Sequence, residues 1–305
     1  MGAKHIMIKG DNYDYPYSRG LLATRMMVTG LDLVDAYKTA EAIALELELQ
    51  DIWELTEVEL NDLVSDILEK EGKILYAARF RNFLKFKSRY EPLIILIGGA
   101  TGIGKSTICL NLASRLAISH IVGTDTIREV MRKVLSSELV PSLHSSSYAA
   151  HKSMKEYVSP IYNKVIIGFE EQARLVVSGI ESVIARALTE GISIIVDGVH
   201  ILPSIMDPKL LKSPSIIPVF LHLSNEEDHM MRFHERAKTK VMRKPLEDYL
   251  ENFDGIRIIQ DHLLEQARLH GIPLIENMLI ETTVRKILDI VFERIEMLIT
   301  TPLRT

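Results

Sequence analysis

The segment LIILIGGATGIGKST at residues 93–107 constrains the fold of this chain more than any other. Its first half is a continuous apolar run, which is typical of a parallel strand buried on both faces. The residues from Gly99 to Ser106 then fit G-x-x-x-x-G-K-[ST], and helical periodicity follows them. A strand, a glycine-rich loop and a helix in this order predict a phosphate-binding loop.

Each residue type in that loop has a chemical task. Glycines let backbone N–H groups turn toward phosphate oxygens, and the start of the helix adds a positive dipole. Lys105 is placed to reach the terminal phosphates, where it would act in catalysis, and the Ser106 hydroxyl can bind Mg²⁺. We therefore predict contacts with a nucleotide from six residues, namely Gly99, Gly102, Gly104, Lys105, Ser106 and Thr107.

The rest of the chain alternates between apolar runs and helical patterns. The runs HIVGTD, ISIIVDG, IPVFLHL and IPLIEN come after the first strand, and longer helical patterns separate them. This alternation predicts a wound α/β sheet of five mostly parallel strands. Residues 1–90 instead show a short strand followed by helices, including a capping box from Thr56 to Glu59. We predict a small, mainly helical domain at 1–90 and an α/β domain at 91–305.

Composition excludes several classes of protein. With 305 residues, 47% of them hydrophobic, the chain can bury a sizeable core. Its formal net charge of −5 does not support a nucleic-acid surface, which normally needs a pronounced basic face. The single cysteine, Cys109, excludes an intrachain disulfide, and its apolar helical context predicts a buried, unreactive thiol. No run approaches the roughly 18 apolar residues of a bilayer span, so we expect a cytoplasmic protein.

Asp197 closes the apolar run IIVDG. A carboxylate at the end of a buried strand can order Mg²⁺ beside a phosphate loop, so Asp197 and Ser106 are the candidate metal ligands. The alternative is a turn residue before Gly198 with no metal role.

A nucleotide loop alone does not distinguish a switch, a motor and a kinase. The guanine-specific patterns D-x-x-G and N-K-x-D are absent, since Asn163 and Lys164 begin the second pattern but the next two residues do not complete it. This disfavours a guanine switch, while a motor or remodelling ATPase stays an alternative.

The segment GTDTIREVMRKVL at residues 123–135 predicts a helix that starts at Thr126, with Glu129 completing a capping box. Arg128 and Arg132 are four residues apart and project from the same face, where two guanidinium groups can hold a small dianion. Asp125, at the end of a strand, would face the hydroxyl of an acceptor as a base or an orienting group. The alternative is a capped surface helix with two solvated arginines.

Two later segments add candidate residues. PSLHSSSYAAHKSM at 141–154 combines hydroxyls with cations, which suits phosphate and carboxylate oxygens; the alternative is an exposed serine-rich turn. Its candidate ligands are His144, Ser146 and Tyr148. A basic region follows the fourth strand, after a predicted capping box from Ser224 to Glu227. Its Arg232, Arg236 and Arg243 would form a lid over the transferring phosphate, or else a solvated charged face.

Five segments together, GGATGIGKST, VGTDTIREVMR, LHSSSYAAHK, IVDGVH and RKPLEDYLENFDGIRIIQDHL, resemble the 2-phosphoglycerate kinase family over most of residues 91–278. The resemblance implies a phosphate-loop NTPase/kinase fold and Mg²⁺-dependent transfer of a phosphoryl group from ATP. The acceptor it implies is the 3-hydroxyl of 2-phosphoglycerate, which gives 2,3-bisphosphoglycerate, a precursor of the cyclic diphosphate. Alternatives are a kinase for another small acid, sugar or nucleotide, and a nucleotide-sensing interaction protein.

Residues 6–44 are similar to an ATP-cone, a small regulatory nucleotide-binding module. The resemblance implies nucleotide contacts from Lys9, Tyr17, Ser18, Arg19 and Arg25. Gly10 departs from it, because that family often has arginine at this position. The alternative is a helical docking domain that binds no nucleotide.

Overall fold

The computed structural model describes residues 5–10, 12–153, 163–239 and 245–301. The chain divides into two compact units, one of Met1–Tyr90 with Leu288–Thr305 and one of Glu91–Ile287. The first break lies where the sequence places the domain boundary, but the end of the chain groups with the first unit instead of the second. No helix in the described ranges is both long enough and apolar enough to cross a membrane.

In its described residues the first unit combines a small sheet with four α-helices and the end of a fifth. Its elements are β1 (Met7–Lys9), β2 (Tyr15–Pro16), α1 (Arg19–Met26), α2 (Leu33–Leu49), β3 (Glu54–Thr56), α3 (Glu57–Lys70) and α4 (Ile74–Lys87). Strand β1 lies between β2, which is antiparallel to it, and β3, which is parallel. The predicted capping box at the start of α3 is confirmed, since the Thr56 and Glu59 side chains each accept a hydrogen bond from the other residue's backbone N–H.

The second unit is a wound α/β sheet. Its strands are β4 (Ile94–Gly98), β5 (His120–Gly123), β6 (Ile194–Gly198), β7 (Ile216–His222) and β8 (Leu274–Glu276). Its helices are α5 (Lys105–Leu116), α6 (Thr124–Val134), α7 (Lys164–Glu190), α8 (Pro208–Leu211), α9 (Glu226–Thr239), α10 (Leu246–Glu251) and α11 (Phe253–Leu269). The last helix, α12 (Ile280–Thr300), begins in this unit and ends in the first. The prediction of five strands is confirmed, and every pairing among them is parallel.

Strand order explains where a ligand can bind. The sheet runs β5-β6-β4-β7-β8, so the chain leaves β4 toward one edge and leaves β7 toward the other. In such sheets the crevice opens beyond the carboxyl ends of the strands at this change of direction. Every residue of β4 is buried, as expected for a central strand covered on both faces. The glycine loop follows β4 directly and therefore lies at the crevice.

Two predicted helix starts are wrong. Helix α6 begins at Thr124, because β5 runs straight into it through Gly123, and Glu129 pairs with Arg132 instead of closing a capping box. Helix α9 begins at Glu226, after Asn225, whose side-chain oxygen accepts from the backbone N–H groups of the second and third helical residues. Cys109 is fully buried in α5, as predicted.

Candidate active site

The glycine loop borders a cavity of about 940 Å³, which we call the donor cavity. Five of the six predicted nucleotide residues line it, namely Gly102, Gly104, Lys105, Ser106 and Thr107. The sixth, Gly99, lies at the turn after β4 and is not among the lining residues. The N-terminus of α5 points its backbone N–H groups at this loop, as an anion site requires.

Lys105 crosses the loop from the first residue of α5. Its Nζ donates a hydrogen bond of 2.7 Å to the Ala100 carbonyl oxygen. Burial lowers the pKa of this ammonium group, and the Asp197 and Asp125 carboxylates act in the opposite direction. The ammonium group is therefore bonded to the loop backbone, and the two carboxylates favour its charged form.

Ser106 and Asp197 come together as the candidate metal site. The Ser106 hydroxyl donates to Asp197 Oδ2 at 3.1 Å. Sheet register explains the position, since Asp197 stands opposite Ile97 on one side and Gly123 on the other. Burial raises the pKa of the Asp197 carboxyl, although Lys105 and Ser106 favour its ionised form.

This pair suits a hard cation that shares its coordination with a phosphate. No group of three or more His, Cys, Asp or Glu side chains among the described residues could hold a metal ion by itself. Mg²⁺ is usually bound through one or two protein oxygens together with water and substrate phosphates. The oxygens of Ser106 and Asp197 fit that donor set.

Three α9 side chains about one turn apart contact the glycine loop. His229 Nε2 donates to the Thr101 carbonyl oxygen at 2.8 Å, and burial lowers the pKa of its imidazole to about 4. Arg232 donates to the Ile103 carbonyl oxygen at 3.1 Å, and the Phe233 ring lies where a side chain at Gly102 would have to be. Side chains of α9 therefore hold the loop backbone at Thr101 and Ile103 and leave no room for a side chain at Gly102.

The predicted lid arginines have different surroundings. Arg232 lines the donor cavity, but its guanidinium also donates to the backbone carbonyls of Asn277 and Met278, which makes it part of the loop support. Arg236 lines the cavity and is exposed. Arg243 lies outside the described residues.

A second cavity of about 490 Å³, the acceptor cavity, adjoins α6. All five predicted acceptor residues line it, namely Arg128, Arg132, His144, Ser146 and Tyr148. The arginines come from α6 and the other three from the segment that follows it. The i, i+4 spacing does bring both guanidinium groups to one cavity wall.

The two arginines are held differently. Arg128 is 8% exposed, donates to the Ser145 carbonyl oxygen at 2.6 Å and lies 3.5 Å from Asp125 Oδ1. Arg132 is half-buried and pairs with Glu129 Oε1 at 3.0 Å. Arg128 is therefore fixed by the fold, whereas Arg132 is held by a neighbour on its own helix.

His144 and Tyr148 also have structural partners. The His144 imidazole donates from Nε2 to the Leu135 carbonyl oxygen at 2.9 Å. The Tyr148 hydroxyl donates to Asp248 Oδ2 at 2.7 Å, and burial raises the pKa of this phenol above its usual value. Tyr148 thus ties the acceptor wall to α10, which also contributes Tyr249 to the cavity.

The donor and acceptor cavities share two lining residues, Thr101 and Asp125. Thr101 belongs to the glycine loop, and Asp125 is the second residue of α6. A phosphate held by the loop and a hydroxyl held in the acceptor cavity would therefore meet beside one carboxylate. This arrangement suits direct transfer between two bound small molecules.

Sequence reasoning missed several lining or supporting residues. Glu129 was interpreted only as a cap, yet it faces both arginines of the acceptor cavity. Tyr249 lines the same cavity from a distant helix, and nothing in its local pattern indicates this. Asn277 is buried and donates to the Ile103 carbonyl oxygen at 2.7 Å; its position directly after the last strand was the only available signal.

The five candidate nucleotide residues of the first unit all have partners within that unit. Lys9 pairs with Asp14 at 2.9 Å and Arg19 with Glu41 at 3.3 Å. Arg25 donates to Asn61 at 3.0 Å. The two hydroxyl residues also have local roles, since Tyr17 donates to the Ala40 carbonyl oxygen and Ser18 caps α1. None of these five residues lines the donor cavity, and a nucleotide would have to compete with the partners they have.

Several curated archaeal proteins match nearly the whole chain and are named 2-phosphoglycerate kinase. One from Methanopyrus kandleri is 40% identical over 292 residues, covering 96% of this chain and 88% of that protein. One from Methanocaldococcus jannaschii is 39% identical over 303 residues, covering 96% and 93%. One from Pyrococcus horikoshii is 36% identical over 289 residues, covering 95% and 94%. No protein-family model matches the chain.

Two solved kinase structures are similar to part of this chain. A gluconokinase from Sinorhizobium meliloti 1021 covers 68% of this chain and 95% of its own, with 18% identity and a TM-score of 0.40. A shikimate kinase from Acinetobacter baumannii covers 68% and 97%, with 15% identity and a TM-score of 0.41. Both TM-scores are below 0.5, so the fold assignment depends on the strand order and the glycine loop.

Proposed function

Because the chain belongs to the 2-phosphoglycerate kinase family, we propose that it transfers the γ-phosphoryl group of ATP to the 3-hydroxyl of 2-phosphoglycerate. The products are ADP and 2,3-bisphosphoglycerate. The hydroxyl oxygen forms the new bond to phosphorus, the bond from phosphorus to the β,γ-bridging oxygen breaks, and the hydroxyl proton leaves.

The observation that carries this proposal is the pair of residues shared by the two cavities, Thr101 and Asp125. Their position supports a site where donor and acceptor are held side by side. Phosphoryl transfer needs little covalent chemistry from the protein and depends on alignment and on neutralisation of charge. Asp125 is the carboxylate that would orient the acceptor hydroxyl and receive its proton.

The donor cavity would hold the ATP phosphates. The loop N–H groups and the Lys105 ammonium bind the phosphate oxygens, and Ser106 with Asp197 would hold Mg²⁺. A bound Mg²⁺ supplies neutralisation of the charge on the phosphate oxygens. Arg236 extends the positive wall of this cavity, while Arg232 keeps the loop in shape.

The charges of the acceptor cavity fit a phosphorylated acid. Arg128, Arg132 and Lys152 contribute three cations, and Asp125 with Glu129 contributes two carboxylates. Glu129 pairs with both arginines, so an acceptor carrying a phosphate and a carboxylate would compete for the same guanidinium groups. A neutral sugar has no charge with which to compete against Glu129 for these guanidinium groups. The cavity therefore favours an anionic acceptor.

A product assay with isomeric acceptors tests the proposal. We expect ATP-dependent formation of 2,3-bisphosphoglycerate from 2-phosphoglycerate, with a much smaller rate for 3-phosphoglycerate, whose free hydroxyl is at the wrong carbon. Glycerate, a sugar and a nucleoside monophosphate complete the panel, and the product is identified by phosphorus NMR. Faster turnover of any other acceptor would overturn the substrate assignment, and ATP binding without transfer to any acceptor would favour a sensing role.

A regulatory role for the first unit stays a prediction. Its candidate ligands have internal partners, so a nucleotide would have to displace ion pairs such as Lys9–Asp14 and Arg19–Glu41. Solvent screens exposed pairs of this kind, so they add little stability and a nucleotide could displace them. Calorimetric titration of the full chain with ATP should give two sites per chain if the unit binds nucleotide; a single site would contradict the prediction. The cytoplasmic location also stays a prediction.

A further inference from the structure

A chain of hydrogen bonds between buried polar side chains joins the start of α6 to Ser142 and Ser145, beside the acceptor cavity. Its centre is His200, which follows β6 and is fully buried. His200 Nδ1 lies 2.9 Å from the Thr124 hydroxyl, and Nε2 lies 2.9 Å from Gln172 Oε1 on α7. Gln172, also fully buried, donates from Nε2 to the carbonyl oxygens of Ser142 and Ser145, the latter at 3.1 Å.

The direction of every hydrogen bond in this chain follows from the chemistry of its end. The two carbonyl oxygens can only accept, so the Gln172 amide nitrogen must face them and its oxygen must face His200. His200 Nε2 therefore carries the proton, and Nδ1 accepts from the Thr124 hydroxyl. The ring is neutral, in agreement with the burial that lowers its pKa to about 3. One tautomer satisfies the whole chain.

Each end of this hydrogen-bond chain lies beside a candidate site residue, Asp125 at one end and Arg128 at the other. Thr124 precedes Asp125, and its buried hydroxyl occupies the space that a side chain at Gly198 would fill. At the other end, the Ser145 carbonyl oxygen accepts from Gln172 and also from the Arg128 guanidinium at 2.6 Å. His200 thus contacts the start of α6, and Gln172 contacts the carbonyl oxygen that also holds Arg128.

We propose that His200 and Gln172 are positioning residues that hold the Ser142–Ser145 segment, and through it Arg128, in the geometry that binds the anionic acceptor. The inference rests on the proposed kinase function for its kinetic readout. It assigns neither residue a contact with substrate. Without the amide of Gln172, the Ser145 carbonyl would keep the Arg128 bond alone, and the segment that carries His144 and Ser146 would lose the two hydrogen bonds that Gln172 donates to it from α7.

A pair of buried glutamines provides the test. Gln260 is also almost fully buried. Its amide accepts from the Leu223 backbone N–H and donates to the Leu223 carbonyl oxygen, and neither residue lines the donor or the acceptor cavity. We expect Gln172→Met to raise the KM for 2-phosphoglycerate about tenfold, which corresponds to two ordinary hydrogen bonds, with the KM for ATP within about twofold of wild type. Gln260→Met should lower the Tm comparably and leave the KM for the acceptor unchanged.

Two substitutions at His200 divide the chain of hydrogen bonds. A glutamine amide reaches the place of Nε2, so His200→Gln keeps a donor toward Gln172. An asparagine amide reaches only the place of Nδ1, so His200→Asn keeps the Thr124 bond and loses the Gln172 bond. We expect His200→Asn to reproduce the acceptor defect of Gln172→Met and His200→Gln to restore most of the binding. Equal acceptor defects in the two His200 variants would overturn the inference.

Amide hydrogen exchange gives a readout that needs no activity. In the full-length apo protein, exchange in a peptide covering residues 140–149 should accelerate in Gln172→Met and His200→Asn and remain at the wild-type rate in Gln260→Met and His200→Gln. Unchanged exchange in Gln172→Met would refute the positioning role even if another acceptor proves to be the substrate. Inactivity of the wild-type chain toward 2-phosphoglycerate, with the expected exchange pattern, would instead refute only the proposed function.

Discussion

The donor and acceptor cavities are built in different ways, although they meet at Thr101 and Asp125. Most predicted nucleotide contacts of the donor cavity come from one short loop, whose backbone supplies the anion-binding groups. The acceptor cavity depends on side chains from α6, the segment after it and α10. A phosphate can be recognised by local backbone geometry, whereas a particular acceptor requires several separate parts of the chain to be fixed together.

The largest expected effect breaks the donor side alone. Lys105→Ala removes the ammonium group that would stabilise charge on the transferring phosphate. Loss of one such electrostatic contact typically lowers kcat about 10²–10³-fold. We expect a loss of this size with every acceptor in the panel, measured as product formed at saturating ATP and Mg²⁺.

The matched control is Lys209→Ala, because Lys209 is exposed on α8 and lines neither cavity. Its kinetics should equal those of wild type. A Lys105→Ala variant that loses activity with one acceptor but retains it with another would show that Lys105 does not belong to the donor side.

The next effect breaks the acceptor side alone. Arg128→Ala should raise the KM for 2-phosphoglycerate by about 10–100-fold, since a charge-assisted hydrogen bond contributes about 1.5–3 kcal/mol. The KM for ATP should change little, because Arg128 lines only the acceptor cavity. Arg132→Ala should have a smaller effect, as Arg132 is half-buried and shares its charge with Glu129.

Arg186→Ala is the surface control for this pair, since Arg186 lines neither cavity and forms an exposed i, i+4 pair with Glu190. Steady-state kinetics with ATP and with 2-phosphoglycerate varied in turn gives the two KM values of each variant. A larger rise in the KM for ATP than for the acceptor would mean that Arg128 serves the donor.

The contrast between the cavities also explains what the sequence could predict. The glycine loop can be predicted from sequence because its pattern occupies eight consecutive residues from Gly99 to Ser106, with a strand and a helix beside them. The placement of Arg128 and Arg132 followed from helical spacing, which is also local. Asp197 was found because it ends a recognisable buried strand.

Other features depended on partners far away in the sequence. Gln172 meets Ser145 across 27 positions and His200 across 28, so no local pattern could reveal the buried chain of hydrogen bonds. The basic pattern around Arg232 predicts a lid or a solvated charged face, and only the folded loop shows the carbonyl oxygens that hold this guanidinium. The start of α6 was misplaced because a strand that continues directly into a helix needs no side-chain cap.

The smallest expected effect concerns stability and the support beneath the donor loop. Folding lowers the pKa of His229 from 6.5 to about 4, mainly through burial. Between these values the unfolded chain binds a proton that the folded chain does not, so acidification lowers the free energy of unfolding. The slope approaches about 1.4 kcal/mol per pH unit for this one residue.

His229→Gln keeps a donor for the Thr101 carbonyl oxygen but cannot titrate. Urea unfolding at pH 7, 6 and 5 should therefore show a wild-type curve that falls more steeply than that of the variant. The difference between the curves removes the opposite contribution of Asp197, whose raised pKa stabilises the fold on acidification. Parallel curves would show that His229 is not kept neutral by the fold.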